Sequence, residues 1–158
     1  MTLSQHLSSH IKKLYYGGNY AGSNVTQQLK GLTWEQANIE IDGCNSIVTL
    51  VYHCHYYLNS VQQVLDGKEL IGSDAESFRH PALTSKKAWE TFQQTIFMEA
   101  NDFAESVAGL SEEQLWNVFV KEEYGTFYRN IQGVIEHTHY HLGQIALLKK
   151  MLIGGNYK

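Results

Sequence analysis

Two histidines four residues apart, His137 and His141, lie in the run Glu136-His137-Thr138-His139-Tyr140-His141-Leu142-Gly143-Gln144. On a helix such a pair shares one face, stacked about 6 Å apart along the axis, so both imidazoles can point at one ion. His139 is two residues from each, about 200° round the same helix, and cannot join them. The pair also belongs to an apolar line: Val134, His137, His141, Ile145 and Leu148 continue one another by threes and fours, beside the helix's stripe Phe127, Ile131, Val134, Thr138, His141, Ile145, Leu148 and Leu152. Burying an unpaired polar ring costs about 1–3 kcal/mol. A metal ion, or a hydrogen bond to a neighbouring helix, has to satisfy these two.

A second group, His53-Cys54-His55, offers a third ligand. Three protein ligands and an open position make the pattern of catalytic zinc sites. His53 lies three after Leu50 and four before Tyr57, on the edge of an inward stripe, whereas His55 shares a face with Val51, Leu58 and Gln62. The pattern favours His53 and leaves His55 open. Cys54 is on the central apolar line and reads as a packed free thiol. His6, His10 and His80 are read as non-ligating histidines.

Three neutral imidazoles leave a divalent ion its full positive charge. Such an ion lowers the pKa of bound water toward about 7, or holds a thiol as its thiolate. Hydrolysis and thiol transfer both follow. Zinc and nickel suit imidazole best, and iron and manganese are also compatible. A hydrolase wants a general base as well. Glu136 sits about 100° round the helix from His137 and faces outward, unlike the glutamate of an H-E-x-x-H site. Gln144, three beyond His141, could orient a ligand or a substrate, or bond a neighbouring helix. Tyr56, Tyr57 and Tyr140 are candidate pocket walls. No catalytic residue is otherwise assigned, and no Ser/His/Asp, P-loop or dinucleotide signature occurs.

The elements that must carry these residues are helices. Leu3, Leu7, Ile11 and Leu14 predict a first helix over 3–16, ended by Gly17-Gly18. Thr33 and Gln36 fit a capping box, so a short helix begins at Trp34. Asn45 is the expected N-cap of a second long helix over 46–66, with Ile47, Leu50, Cys54, Tyr57, Val61 and Leu65 inward. Residues 68–83, with Gly72 and the only proline, Pro81, are the longest irregular connection, long enough to cross from one end of a bundle to the other. Thr84 or Ser85 caps a third helix to about 108, with Ala88, Phe92, Thr95 or Ile96, Glu99 and Phe103 inward. Ser111 and Gln114 cap another short helix. The last long helix spans about 126–153, from Gly125 to the Gly154-Gly155 stop. The expected fold is all-α, an up-down four-helix bundle with one or two extra short helices, in a single domain over 1–158.

The string EHTHYHLGQIALLKK, preceded by the histidine-bearing helix LVYHCHYYL, resembles the DinB-like family, which includes YfiT-type metal-dependent hydrolases and bacterial thiol transferases. The resemblance implies a four-helix bundle, a homodimer and a three-histidine metal site. His137, His141, Gly143 and Gln144 match the family's H-x-x-x-H-x-G-Q stretch on the fourth helix. His53 corresponds best to its second-helix ligand, and the extra His139 and His55 depart from the pattern. It further implies a small-molecule substrate, a low-molecular-weight thiol among the candidates. The competing reading is a non-catalytic helical dimer or binding module whose histidines, with or without metal, are structural.

Composition narrows the partners. The net charge is −4 and no segment concentrates Lys and Arg, which argues against nucleic acid. Lys86-Lys87 and Lys149-Lys150 read as solvated helix faces. No apolar run reaches the ~18 residues of a membrane span, and the first residues lack the apolar core of a signal peptide. Two cysteines, Cys44 and Cys54, make no disulfide framework, which is consistent with the cytoplasm. Aromatics near Tyr15-Tyr16 and at Tyr124-Phe127-Tyr128 are candidate partner surfaces.

Overall fold

The computed structural model describes residues 1–154. Four long helices form the frame: α1 (Leu3–Tyr16), α4 (Ile47–Leu65), α6 (Lys86–Ala108) and α8 (Phe127–Ile153). Four short ones lie between them: α2 (Val25–Leu29), α3 (Trp34–Ala37), α5 (Asp74–Ser77) and α7 (Glu112–Trp116). A 3₁₀ turn, Glu122–Tyr124, precedes α8. Among the described residues there are no strands, only the isolated bridges Ile41–Cys44 and Val118–Thr126. The all-α bundle expected from the periodicities is therefore the observed class, with more short helices than expected. The capping boxes at Thr33/Gln36 and Ser111/Gln114 both form. The helices α2 and α5, of five and four residues, are too short for any hydrophobic period to register.

α1 packs on α6, α6 on α4, α4 on α8 and α8 on α1. Cross-helix pairs give the directions. Lys12 meets Glu105 and Tyr16 meets the carbonyl of Phe97, so α1 and α6 are antiparallel. Asn59 meets Glu99 and Gln62 meets Ser106, so α4 and α6 run parallel. His53 faces His141 and Tyr57 faces His137, so α4 and α8 are antiparallel. In chain order the long helices thus run up, down, down, up, so α4 and α6 do not alternate as the expected up-down order has it. The long connection between α4 and α6 has to cross the bundle end to end, and it carries α5 across the flank of α4.

The core holds Ile11, Leu14, Ile47, Leu58, Ile96, Phe103, Val107 and Ile131, all nearly inaccessible to solvent. Several expectations shift. The cap of α4 is Ser46, whose Oγ accepts from the Thr49 amide, rather than Asn45; both are strong caps at adjacent positions, so spacing does not separate them. On α6 the buried line runs through Trp89, with its indole N–H donating to the Leu32 carbonyl, while Ala88 and Phe92 are half-buried. Tyr15 is buried rather than a surface aromatic, and Tyr16 beside it is exposed. Lys149 is not solvated. It is 2 % exposed, and its ammonium donates to the carbonyls of Gln27 and Lys30 at the C-terminal end of α2, where helix carbonyls lack partners. Gly154 caps α8 in the left-handed conformation, as glycine allows; Gly155 lies outside the described residues.

Candidate metal centre

α4 and α8 cross face to face at His53, His137 and His141, so the long helices bring together residues 84 positions apart. The Nε2 atoms of His53 and His137 are 3.1 Å apart, and those of His141 and His137 are also 3.1 Å apart. One ligating atom from each of the three lies within 4.8 Å of the others, and no other group of three or more His, Cys, Asp or Glu does so among the described residues. His139 is elsewhere on α8. His55, although as buried as His53, turns to α6, where its Nε2 meets the Glu99 carboxylate. That contact, with a second hydrogen bond from Asn59, holds the Glu99 carboxyl below its usual range. Cys54 packs in the core, and burial pushes its thiol up to about 12. His80 bonds the Pro81 carbonyl, and His6 and His10 are exposed.

The rings are fixed from behind. His53 Nδ1 lies 2.8 Å from Ser77 Oγ. The Ser77 hydroxyl spends its one hydrogen on the Asp74 carbonyl at 2.6 Å, so it accepts from His53 Nδ1–H. His141 Nδ1 lies 2.7 Å from Gln144 Oε1, an acceptor only. Both imidazoles therefore carry their proton on Nδ1 and turn a lone pair on Nε2 toward the centre. Phe78 stacks on His53 with centroids 4.0 Å apart, and Tyr57 meets the edges of His53 and His137. Gln144 thus orients His141 on its own helix and, among the described residues, bonds no neighbouring helix.

This arrangement fits a cation better than it fits bare protein. Two lone pairs converge on His137 Nε2, which has at most one hydrogen to offer them. Among the described residues His137 Nδ1 is buried without a partner, so nothing there prevents the same tautomer. Protonation is not the remedy. Burial, then the neighbouring His137 and His141, lower the His53 pKa to about 4, and burial and His141 lower that of His137. Three imidazoles with their Nε2 atoms turned to one point are the donor set a borderline divalent ion takes, and second partners on the far nitrogens are the usual support for such ligands.

The pH consequence has a definite sign. A folded His53 titrating near 4, against about 6.5 unfolded, leaves the unfolded chain with more bound protons between those values. Metal-free protein should hold its full stability above pH 6.5 and lose it as pH falls toward 4. Thermal melts of chelator-treated protein check this. His53→Gln should flatten the fall between pH 6.5 and 5, and an unchanged fall in that variant would contradict the assignment.

The centre is not sealed. His137 is half-buried and lines a cleft of about 560 Å³, shared with Tyr57, Asp74 and residues of α8. Tyr57 donates its hydroxyl to Asp74 at 3.0 Å, and burial together with that carboxylate raises its pKa. Of the other tyrosines, Tyr56 accepts from the Ser73 amide and Tyr140 points to solvent, 66 % exposed. Glu136 is exposed, as its position on α8 requires.

Sequence spacing picked out the three histidines that the fold brings together, and Gln144 behind His141, but not the residues behind His53. Asp74, Ser77 and Phe78 come from the connection read as irregular. One signal was present: Ser73 and Glu76 have the S-x-x-E spacing of a helix start, and Ser73 Oγ does accept from the Glu76 amide.

Fold and site together define an all-α bundle with a three-histidine cluster that could hold a metal ion, opening on a cleft. The chain belongs to the DUF1572 family, described as proteins of unknown function, whose family model matches residues 3–158. No curated protein and no solved structure matches it.

Proposed function

We propose that the chain is a metal-dependent enzyme of the DinB-like class, with His53, His137 and His141 holding one divalent ion. The observation that carries this reading is the convergence of three Nε2 atoms, two of them with their tautomer fixed by Ser77 and Gln144. Zinc or nickel suits the donor set best. A bound ion would supply Lewis acidity toward a water or a thiol. The chain's own groups do the rest. Ser77 and Gln144 orient ligands, Phe78 shields His53 from water, and Tyr57 presents a hydroxyl to the cleft with its proton directed to Asp74.

Access favours an enzyme over a structural site. A structural zinc has four protein ligands, whereas this cluster has three and one of them lines a cleft. The cleft suits a small molecule. No described helix is long and apolar enough to cross a membrane, and the chain carries no basic segment for nucleic acid. A second copy is the proposed protein partner. Tyr140, Leu147 and Met151 make an exposed apolar line on α8, and light scattering that gives a monomer at micromolar concentration would remove this part of the reading.

Zinc-loaded protein should be assayed on two reactions, ester hydrolysis and transfer of a small thiol to an aryl halide. One of the two should proceed and stop on chelation. Neither proceeding, with a melting temperature that collapses on chelation, would favour the structural reading.

A further inference from the structure

The cleft that reaches His137 has an apolar wall, including Val61, Leu70, Phe119 and Val134, and two charged residues, Asp74 and Arg129. Asp74 already accepts the Tyr57 hydroxyl. Arg129 differs. Among the described residues its guanidinium has no hydrogen bond or ion pair, although its backbone amide is bonded to the Thr126 hydroxyl.

Its placement has a cause in the sequence. Arg129, Gly133 and His137 are spaced by four and share one line along α8. Long side chains on a helix ordinarily lean toward the N-terminus. Here the guanidinium lies one turn the other way: a Cβ on Gly133 would stand 3.0 Å from Arg129 Nη1. The bare backbone at Gly133 leaves the channel in which the guanidinium lies, one turn nearer His137. Glycine is a weaker helix former than alanine, so the position forgoes stability for space.

We propose that Arg129 anchors the carboxylate or other oxyanion of an amphipathic small-molecule substrate, with its apolar body against Val61, Leu70, Phe119 and Val134 and its reacting end toward His137. The placement of the reacting end rests on the metal-enzyme reading; the anion anchor does not. A guanidinium with unspent donors pairs with a planar oxyanion through two parallel hydrogen bonds, a geometry that lysine cannot reproduce. Asp74, of opposite sign in the same cleft, sets the direction in which such an anion lies.

The test titrates 3-phenylpropanoate and its neutral amide into zinc-loaded protein and into the metal-free His137→Ala/His141→Ala variant, followed by backbone amide NMR shifts. The carboxylate should bind about tenfold more tightly than the amide in both proteins, with shifts at residues 129–137. Arg129→Gln should erase that preference and Arg129→Lys should keep part of it. Gly133→Ala, which leaves the charge and fills the channel, should weaken it. Arg129 is exposed, so these spectra should otherwise match the wild type. Equal affinity for the two compounds, absence of binding by either, or a preference that needs zinc and survives Arg129→Gln would overturn the proposal. A wild type that takes up no zinc but still prefers the carboxylate through Arg129 would remove the metal reading and leave the anchor standing.

Discussion

Alanine at both His137 and His141 should abolish metal binding while the bundle remains folded. Protein purified without an affinity tag should carry close to one divalent ion per chain, and the double variant essentially none. Two of the three converging Nε2 atoms are lost, leaving His53 alone. Removing only a partner behind a ligand commonly costs 10–100-fold, so removing two ligands should exceed about 100-fold. The fold should survive because its most buried side chains, among them Phe103, Leu58 and Ile131, do not depend on the cluster. Elemental analysis with circular dichroism on the same samples reads both. A folded double variant that retains stoichiometric metal would sink the ligand assignment.

Ser77→Ala should weaken metal affinity by about 10–100-fold while the metal-free protein stays folded at reduced stability. Ser77 is fully buried, and it accepts from His53 Nδ1 and so fixes the lone pair on Nε2. Alanine removes that acceptor and frees His53 to place its proton on Nε2, the nitrogen that has to bind. Leaving the buried His53 Nδ1 without its partner should cost the metal-free fold about 1–3 kcal/mol. The two effects separate by experiment: competition against a chromophoric chelator reads affinity, and a melt in excess chelator reads stability. Gln144→Ala should act in the same direction through His141, with a smaller effect on stability because Gln144 is exposed. Unchanged affinity in the Ser77 variant would mean that the tautomer of His53 is not set from α5.

How much of this could be read from residues alone follows from the length of the signals. The α8 line from Phe127 to Leu152 spans seven turns, and its period fixed both the helix and the inward direction of His141. The exclusion of His139 needed only the angle per residue. His53 over His55 was a narrower choice, because both are buried on α4. What separates them is which neighbouring helix each faces, α8 for His53 and α6 for His55, and helix order in space is a tertiary fact. Ser77, Phe78 and Asp74 were hidden for a related reason. The helix α5 has four residues and no hydrophobic period, and its place beside His53 comes from a crossing connection between two parallel helices. Lys149 shows the same limit. A lysine pair near a helix end looks solvated until the end of α2 is found beside it. Arg129 and Gly133 carried no motif, and their four-residue spacing gained meaning only beside a cleft.

The central claim is that one divalent ion is held by His53, His137 and His141. Anomalous diffraction across the metal absorption edge, on crystals of untagged protein, tests it most directly. The expected result is one peak bonded to the Nε2 atoms of all three rings at about 2.0–2.1 Å, with a remaining position open toward the cleft. A peak bound by His55 in place of His53, or three ordered imidazoles with no peak between them in protein supplied with zinc, would contradict it.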